Sequence, residues 1–115
     1  MHKSTGLNWI DAWNNHDLER ILEFYDEKIS HTSPKIANYF LLPDHTIKSK
    51  DMLRQYFQNA LAQNPDLRFD LIHMLEGIKT LVLVYKRNEM ETAAEFLGFN
   101  DSGLIISSRS HYEVL

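Results

Sequence analysis

Two side chains in this 115-residue chain have the surroundings to move a proton. Glu95 alternates with Ala93, Leu97 and Phe99, so on a strand it shares an apolar face with them. A carboxyl on such a face loses its hydration, its pKa rises, and it can donate a proton near neutral pH. The competing reading pairs it with a cation such as Arg109 or Lys86, or turns it to water at a bulge. His31 and Ser33, two residues apart, share one face of an earlier strand, and His31 offers a neutral imidazole near pH 7 as a general base. The plainer alternative is a histidine held by a hydrogen bond. His73, set between Leu71 and Leu75, is either a satisfied core histidine or a ligand contact. His31, His73 and His111 lack the i, i+4 or His-x-His spacing that focuses metal ligands, so no metal site is expected. The chain has no glycine-rich phosphate loop and no nucleophile elbow, and no cofactor is expected.

Composition narrows the function classes. The length fits one domain over residues 1–115 that buries roughly two thirds of its unfolded surface and needs no staple. There is no cysteine, hence no disulfide framework, no thiolate nucleophile and no sulfur-ligated zinc. Twelve basic against sixteen acidic residues give a net charge of −4, and the basic ones are scattered, which argues against a nucleic-acid partner. The N-terminal residues lack a signal-like apolar run, and Leu81–Tyr85 is far too short to span a bilayer. A cytoplasmic protein with no membrane partner is the expectation.

Several elements must position these groups. The spacing of Leu7, Ile10 and Trp13, with Trp9 and Ala12 beside them, predicts a helix from about Ser4 to Asn14. Asn15-His16-Asp17 breaks it, and Asp17 starts a second helix whose stripe is Leu18, Ile21, Leu22 and Tyr25, running to about Lys28. An extended segment follows from Ile29 to Ser33, stopped by Pro34. Residues 35–48, with Ile36, Tyr39, Phe40, Leu41 and Leu42, read as a short strand or a flap. Ser49 caps a third helix that buries Leu53, Tyr56, Phe57, Ala60 and Leu61 and ends at Asn64-Pro65-Asp66. Four strands complete the chain: 67–76 with alternating polarity, 80–86 apolar on both faces, 91–99, and 104–114 after the Asn100-Asp101-Ser102-Gly103 turn. Short connections make them an antiparallel meander.

This order resembles the nuclear transport factor 2-like superfamily in its SnoaL-like branch. The likeness is carried by Trp9-Ile10-Asp11-Ala12-Trp13-Asn14-Asn15-His16-Asp17-Leu18, Leu22-Glu23-Phe24-Tyr25-Asp26, Leu53-Arg54-Gln55-Tyr56-Phe57 and Phe99-Asn100-Asp101-Ser102-Gly103-Leu104-Ile105. One departure is Lys48-Ser49, where the family commonly has a glycine before its third helix. The resemblance implies an α+β cone: N-terminal helices on the concave face of a strongly curved antiparallel sheet, enclosing a cavity, with homodimers formed through the convex face. In that register Glu95 and Leu97 point inward, Ser108, Ser110 and Tyr112 line the cavity, and Arg109 and His111 face out. Trp9, Trp13, Tyr25, Tyr56 and Phe57 then pack between helices and sheet, some reaching the cavity with His31, Ser33 and His73.

Against ketosteroid isomerase, the position of the carboxylate base holds Ser33, that of the oxyanion-binding phenol holds Trp9, and that of a third-helix tyrosine holds Phe57. Only Glu95 has its counterpart, so the resemblance speaks against that activity. Two functions follow as expectations. One is binding of a small hydrophobic molecule without catalysis. The other is an isomerase, cyclase or dehydratase acting on a hydrophobic carbonyl or polyketide-like substrate, with His31 as base and Glu95 as acid. An interaction module working through the convex sheet is a third.

Overall fold

A computed structural model describes residues 2–115. Helix α1 (Lys3–Asn14) buries Gly6, Trp9, Ile10 and Trp13, one stripe at helical spacing. Gly6 rather than the expected Leu7 faces inward, and Leu7 is 47% exposed. Gly6 lies under Met74 and Leu81, close enough that a Cβ there would sit 2.9 Å from Met74 Cε. Asp17 caps α2 (Leu18–Glu23) by accepting from Arg20 N–H.

The second helix stops five residues short of the expected Lys28, because Tyr25 already belongs to strand β1 (Tyr25–Thr32). Residues four apart share a face in a helix and also in a strand, so Ile21, Tyr25 and Ile29 fit either period. Asp26 Oδ1 accepts from Lys28 N–H, and the pairing of β1 slips between Tyr25 and Ser30.

Residues 34–47 form two 3₁₀ turns, Pro34–Asn38 and Pro43–His45, followed by the two-residue strand β2 (Thr46–Ile47). Both expected forms are therefore present, a flap and a short strand. Ser33 caps the first turn, and fully buried Ile36 and Ile47 anchor the segment. Helix α3 (Lys50–Gln63) starts at the expected Ser49 cap, whose hydroxyl accepts from Met52 N–H, and buries Leu53, Tyr56 and Phe57.

Strands β3 (Phe69–Gly77), β4 (Thr80–Arg87), β5 (Glu91–Phe99) and β6 (Ile105–Tyr112) follow as the expected antiparallel meander. The sheet order is β2-β1-β6-β5-β4-β3. The sheet is mixed, since β1 runs parallel to β6 while every other pairing is antiparallel. Leu81, Leu83, Tyr85, Ala93, Glu95, Leu97 and Ser108 are buried on the face that carries the helices. Helix α1 packs on β3 and α3 packs on β1, so the two helices flank a gap over the middle of the sheet.

His73 is a correction. The register slips between Leu71 and His73, so Leu71 opposes Tyr85 on the inner face while His73 opposes Val84 on the outer one. His73 is exposed and takes no part in the interior. Past the bulge Met74, not Leu75, faces α1, and Leu75 is 59% exposed.

The end of α1 is clamped to the start of β3. Asn14 Nδ2–H donates to the carbonyl of Phe69 at 2.8 Å, and Phe69 N–H donates to Asn14 Oδ1 at 2.7 Å. His16, at φ 53°, places Nε2 2.8 Å from the Leu67 carbonyl. An alanine at position 14 would strip both backbone groups of Phe69 of their partner. Asn14→Ala should cost about 1–3 kcal/mol of stability. A urea midpoint unchanged from wild type would show that the clamp contributes nothing.

Candidate functional site

The strand register builds the site in rows across the inner face. Phe69 opposes Arg87, which opposes Glu91; Tyr85 opposes Ala93, which opposes Tyr112; Leu83 opposes Glu95, which opposes Ser110; Leu97 opposes Ser108, which opposes His31. Directly opposed side chains on one face touch. The Ser110 hydroxyl accordingly donates to Glu95 Oε1 at 2.6 Å, and His31 Nδ1 lies 2.6 Å from Ser108 Oγ. The parallel pairing of β1 brings the two rows together, with His31 Nδ1 4.0 Å from Glu95 Oε2.

Over these rows lies a hollow of about 330 Å³. That is near the lower end of small-molecule pockets, which run from about 300 Å³ upward. Trp9, Trp13, Tyr56 and Phe57 wall it from the helix side, and Phe69 and Tyr85 from the sheet. The rings interlock, Trp13 meeting Phe57 edge to face at 4.8 Å and Trp9 lying over Phe69 at 5.8 Å. Trp9 is fixed by its own donor, since its Nε1–H donates to the Tyr25 hydroxyl at 2.9 Å. The 3₁₀ turn after β1 supplies Lys35, Asn38 and Tyr39 to the opening, and Arg87 joins them from the end of β4.

His31 and Glu95 thus meet, and Trp9, Trp13, Tyr56, Phe57 and Tyr112 line the hollow with them. Ser33 and Ser108, expected to line the hollow, are corrections as well: both sit buried behind it, Ser33 accepting from the Tyr56 hydroxyl at 3.4 Å and Ser108 holding His31. Leu97 is a further correction. It lies in the deepest row, fully buried, and the side chains around it fill the space, so it belongs to the core and not to the lining. Sequence reasoning passed over Arg87 and Tyr85, although the alternation Leu81, Leu83, Tyr85, Arg87 carries the signal. Lys35 had none, because its place follows from the 3₁₀ turn. Neither Arg109 nor Lys86 reaches Glu95, whose partner is Ser110. Among the described residues no group of His, Asp and Glu is arranged to hold a metal ion. No described helix is long and apolar enough to cross a membrane.

Burial sets the protonation states. It pushes the Glu95 carboxyl up to about 8, against a smaller downward pull from Ser110. The same burial drives His31 down to about 4. At pH 7 the pair is a neutral acid beside a neutral imidazole, since desolvation outweighs the attraction that would ionise both. The phenols of Tyr25, Tyr56 and Tyr85 are raised by burial first and by the Glu95 carboxyl among the lesser causes, and Tyr112 rises to about 12 for the same reasons. The hollow therefore holds proton donors in plenty and one base, His31.

These shifts fix a pH dependence of stability. His31 is depressed, so its contribution is complete above 6.5 and is lost as pH falls toward 4. Glu95 is raised, so its contribution is complete below 4.5 and is lost as pH climbs toward 8. The two slopes oppose one another where the windows overlap, from 4.5 to 6.5, and above 6.5 only Glu95 acts. Wild type should lose roughly 2 kcal/mol from this residue between pH 6.5 and 8, and Glu95→Gln should not. Urea denaturation of both proteins at the two pH values checks this; parallel losses would mean that Glu95 is ionised in the native state.

Comparison with known proteins bears on the same chain. The family model described as a SnoaL-like domain matches residues 7–100. The structure is similar to that of a SnoaL-like protein of unknown function from Burkholderia thailandensis, with a TM-score of 0.90 and 30% identity over 96% of this chain and 93% of that one. It is also similar to an NTF2-like protein of unknown function from Burkholderia pseudomallei, with a TM-score of 0.78 and 15% identity over 97% and 90%. TerC, co-crystallised with polyporic acid, aligns with a TM-score of 0.77 and 13% identity over 97% and 91%. The last two likenesses speak for the fold alone. Among curated protein sequences none matches.

Proposed function

The chain belongs to the SnoaL-like family, and on that premise we propose that it binds one small, largely apolar carbonyl compound in the hollow and moves a proton on it. His31 is the base and Glu95 the acid. The observation that carries this reading is the pair itself, two buried titratable groups 4.0 Å apart in a cavity with aromatic walls. The Nδ1 side of His31 is taken up by Ser108, and Nε2 has no hydrogen-bond partner among the described residues. With Nδ1–H donating to Ser108 Oγ, Nε2 presents its lone pair to the ligand.

The step is enolisation. His31 Nε2 takes a proton from the carbon next to the carbonyl, the C–H electron pair forms the C=C bond, and the carbonyl oxygen takes the proton of Glu95. The product is a neutral enol beside an imidazolium and a carboxylate, an ion pair that burial disfavours and that drives both protons onward. Delivery of the His31 proton to another carbon, with Glu95 retaking the enol proton as the carbonyl re-forms, completes an isomerisation; where the β-carbon bears a leaving group, its bond breaks as the carbonyl re-forms, Glu95 retakes the enol proton and the departing group takes the proton from His31, which completes an elimination. A reading without catalysis rests on the same aromatic walls, which suit a bound ligand whether or not it reacts.

A bicyclic ketone, 2-tetralone, separates these readings. The sequence has two tryptophans, and both line the hollow, so binding should quench intrinsic fluorescence. In D₂O the wild type should exchange the ketone's α-protons faster than buffer, and His31→Ala should lower that excess by roughly 100-fold or more while quenching persists. Quenching without excess exchange would leave binding as the activity. No quenching would sink both.

The outer sheet face supports assembly as a homodimer. Val82, Ala94 and Phe96 form an apolar patch there with Arg109 and His111 beside it, and Ile72 is 45% exposed nearby. Light scattering at micromolar concentration should give twice the chain mass, and Phe96→Glu should halve it; a wild-type monomer would end the dimer proposal.

A further inference from the structure

The opening of the hollow carries an unbalanced set of charges. Arg87 and Lys35 both line it, and both turn to a single carboxylate, Glu91, which lies 3.7 Å from Arg87 and 3.2 Å from Lys35. The Arg87 side chain is only 19% exposed, yet this long ion pair is its one polar contact among the described residues. Five guanidinium donors in a half-dry site with one distant acceptor leave most of its hydrogen-bonding capacity unused. Lys35 is oriented by the Tyr112 ring, with Nζ 4.4 Å from its centroid.

We propose that the ligand is an anionic amphiphile, an aromatic or alicyclic body bearing a carboxylate that seats between Arg87 and Lys35. The planar fork of Arg87 matches a carboxylate in a way that a neutral carbonyl does not. Glu91 and Glu95 are four residues apart on β5, which sets the rim and the acid on the order of 13 Å apart. The occupant is therefore about two fused rings long. This inference rests on the cavity being the ligand site, as in the proposed function, and adds the class of the ligand.

The test compares 2-naphthoate with its uncharged counterpart 2-naphthamide by tryptophan quenching. Wild type should bind the carboxylate at least roughly tenfold more tightly than the amide. Arg87→Met and Lys35→Met should each reduce that ratio, while their unchanged affinity for 2-naphthamide shows that the fold and the cavity are intact. Equal affinity for acid and amide in wild type would overturn the anionic ligand and leave the cavity reading standing. Failure of both naphthalenes to bind would overturn the cavity reading, and this inference with it.

Discussion

The parallel seam between β1 and β6 is the constraint on which the rest depends. The final meander can form from local hairpins, but by itself it holds Glu95 and no base. Only when β1 docks along β6, in the register that sets His31 against Ser108, does the early part of the chain contribute to the interior chemistry. That pairing closes a loop of some 77 residues, the separation of His31 from Ser108, and such a closure costs entropy before it returns any contact. Buried Tyr25, Ile29 and Ile47 along and beside β1 supply the apolar gain that offsets it. The seam is thus held by aliphatic and aromatic burial, and the catalytic-looking polar contact is carried on it as a passenger.

Burial shifts both titrations and costs stability at the same time. A glutamate in this position is a poor choice for folding, since leucine would fill the space without a polar atom to satisfy. Ser110, and Ser108 behind His31, reduce the penalty by giving each buried polar group one partner across the sheet. Neither partner is charged, which keeps the acid protonated and the imidazole neutral. A lysine or arginine in either serine position would stabilise the carboxylate instead and remove the proton donor. Local strain of this kind, retained where hydrocarbon would be easier, is what a site under functional demand looks like.

How much of this could be read in the sequence depended on whether periodicity stayed regular. Glu95 stood out because β5 alternates strictly from Ala93 to Leu97, so burial of one residue implied burial of the next but one. The third helix and its serine cap were legible for the same reason, each signal being local. Tyr25 was misplaced because a spacing of four satisfies both helix and strand. His73 was misplaced because a single extra residue in β3 inverts every side chain beyond it, and no residue type marks that bulge. Leu97 was correctly placed inward, but depth along a strand decides whether an inward residue meets empty space or a packed neighbour, and alternation carries no depth. The convergence of Lys35 and Arg87 on Glu91 joins a 3₁₀ turn to two strand ends and has no trace in one dimension.

The bulge in β3 has a further consequence at the periphery. β3 is the outermost strand on its side of the sheet, and an outermost strand offers a free ladder of amides and carbonyls to any extended chain that comes alongside. A bulged strand cannot present that ladder in register along its length, because the kink between Leu71 and His73 turns the amides of one half away from those of the other. Arg68, Asp70 and Glu76 add charges along the same border. The irregularity that confuses sequence reading is therefore a guard against edge-on polymerisation, and straightening it by deleting one residue would trade a tidier strand for a stickier protein.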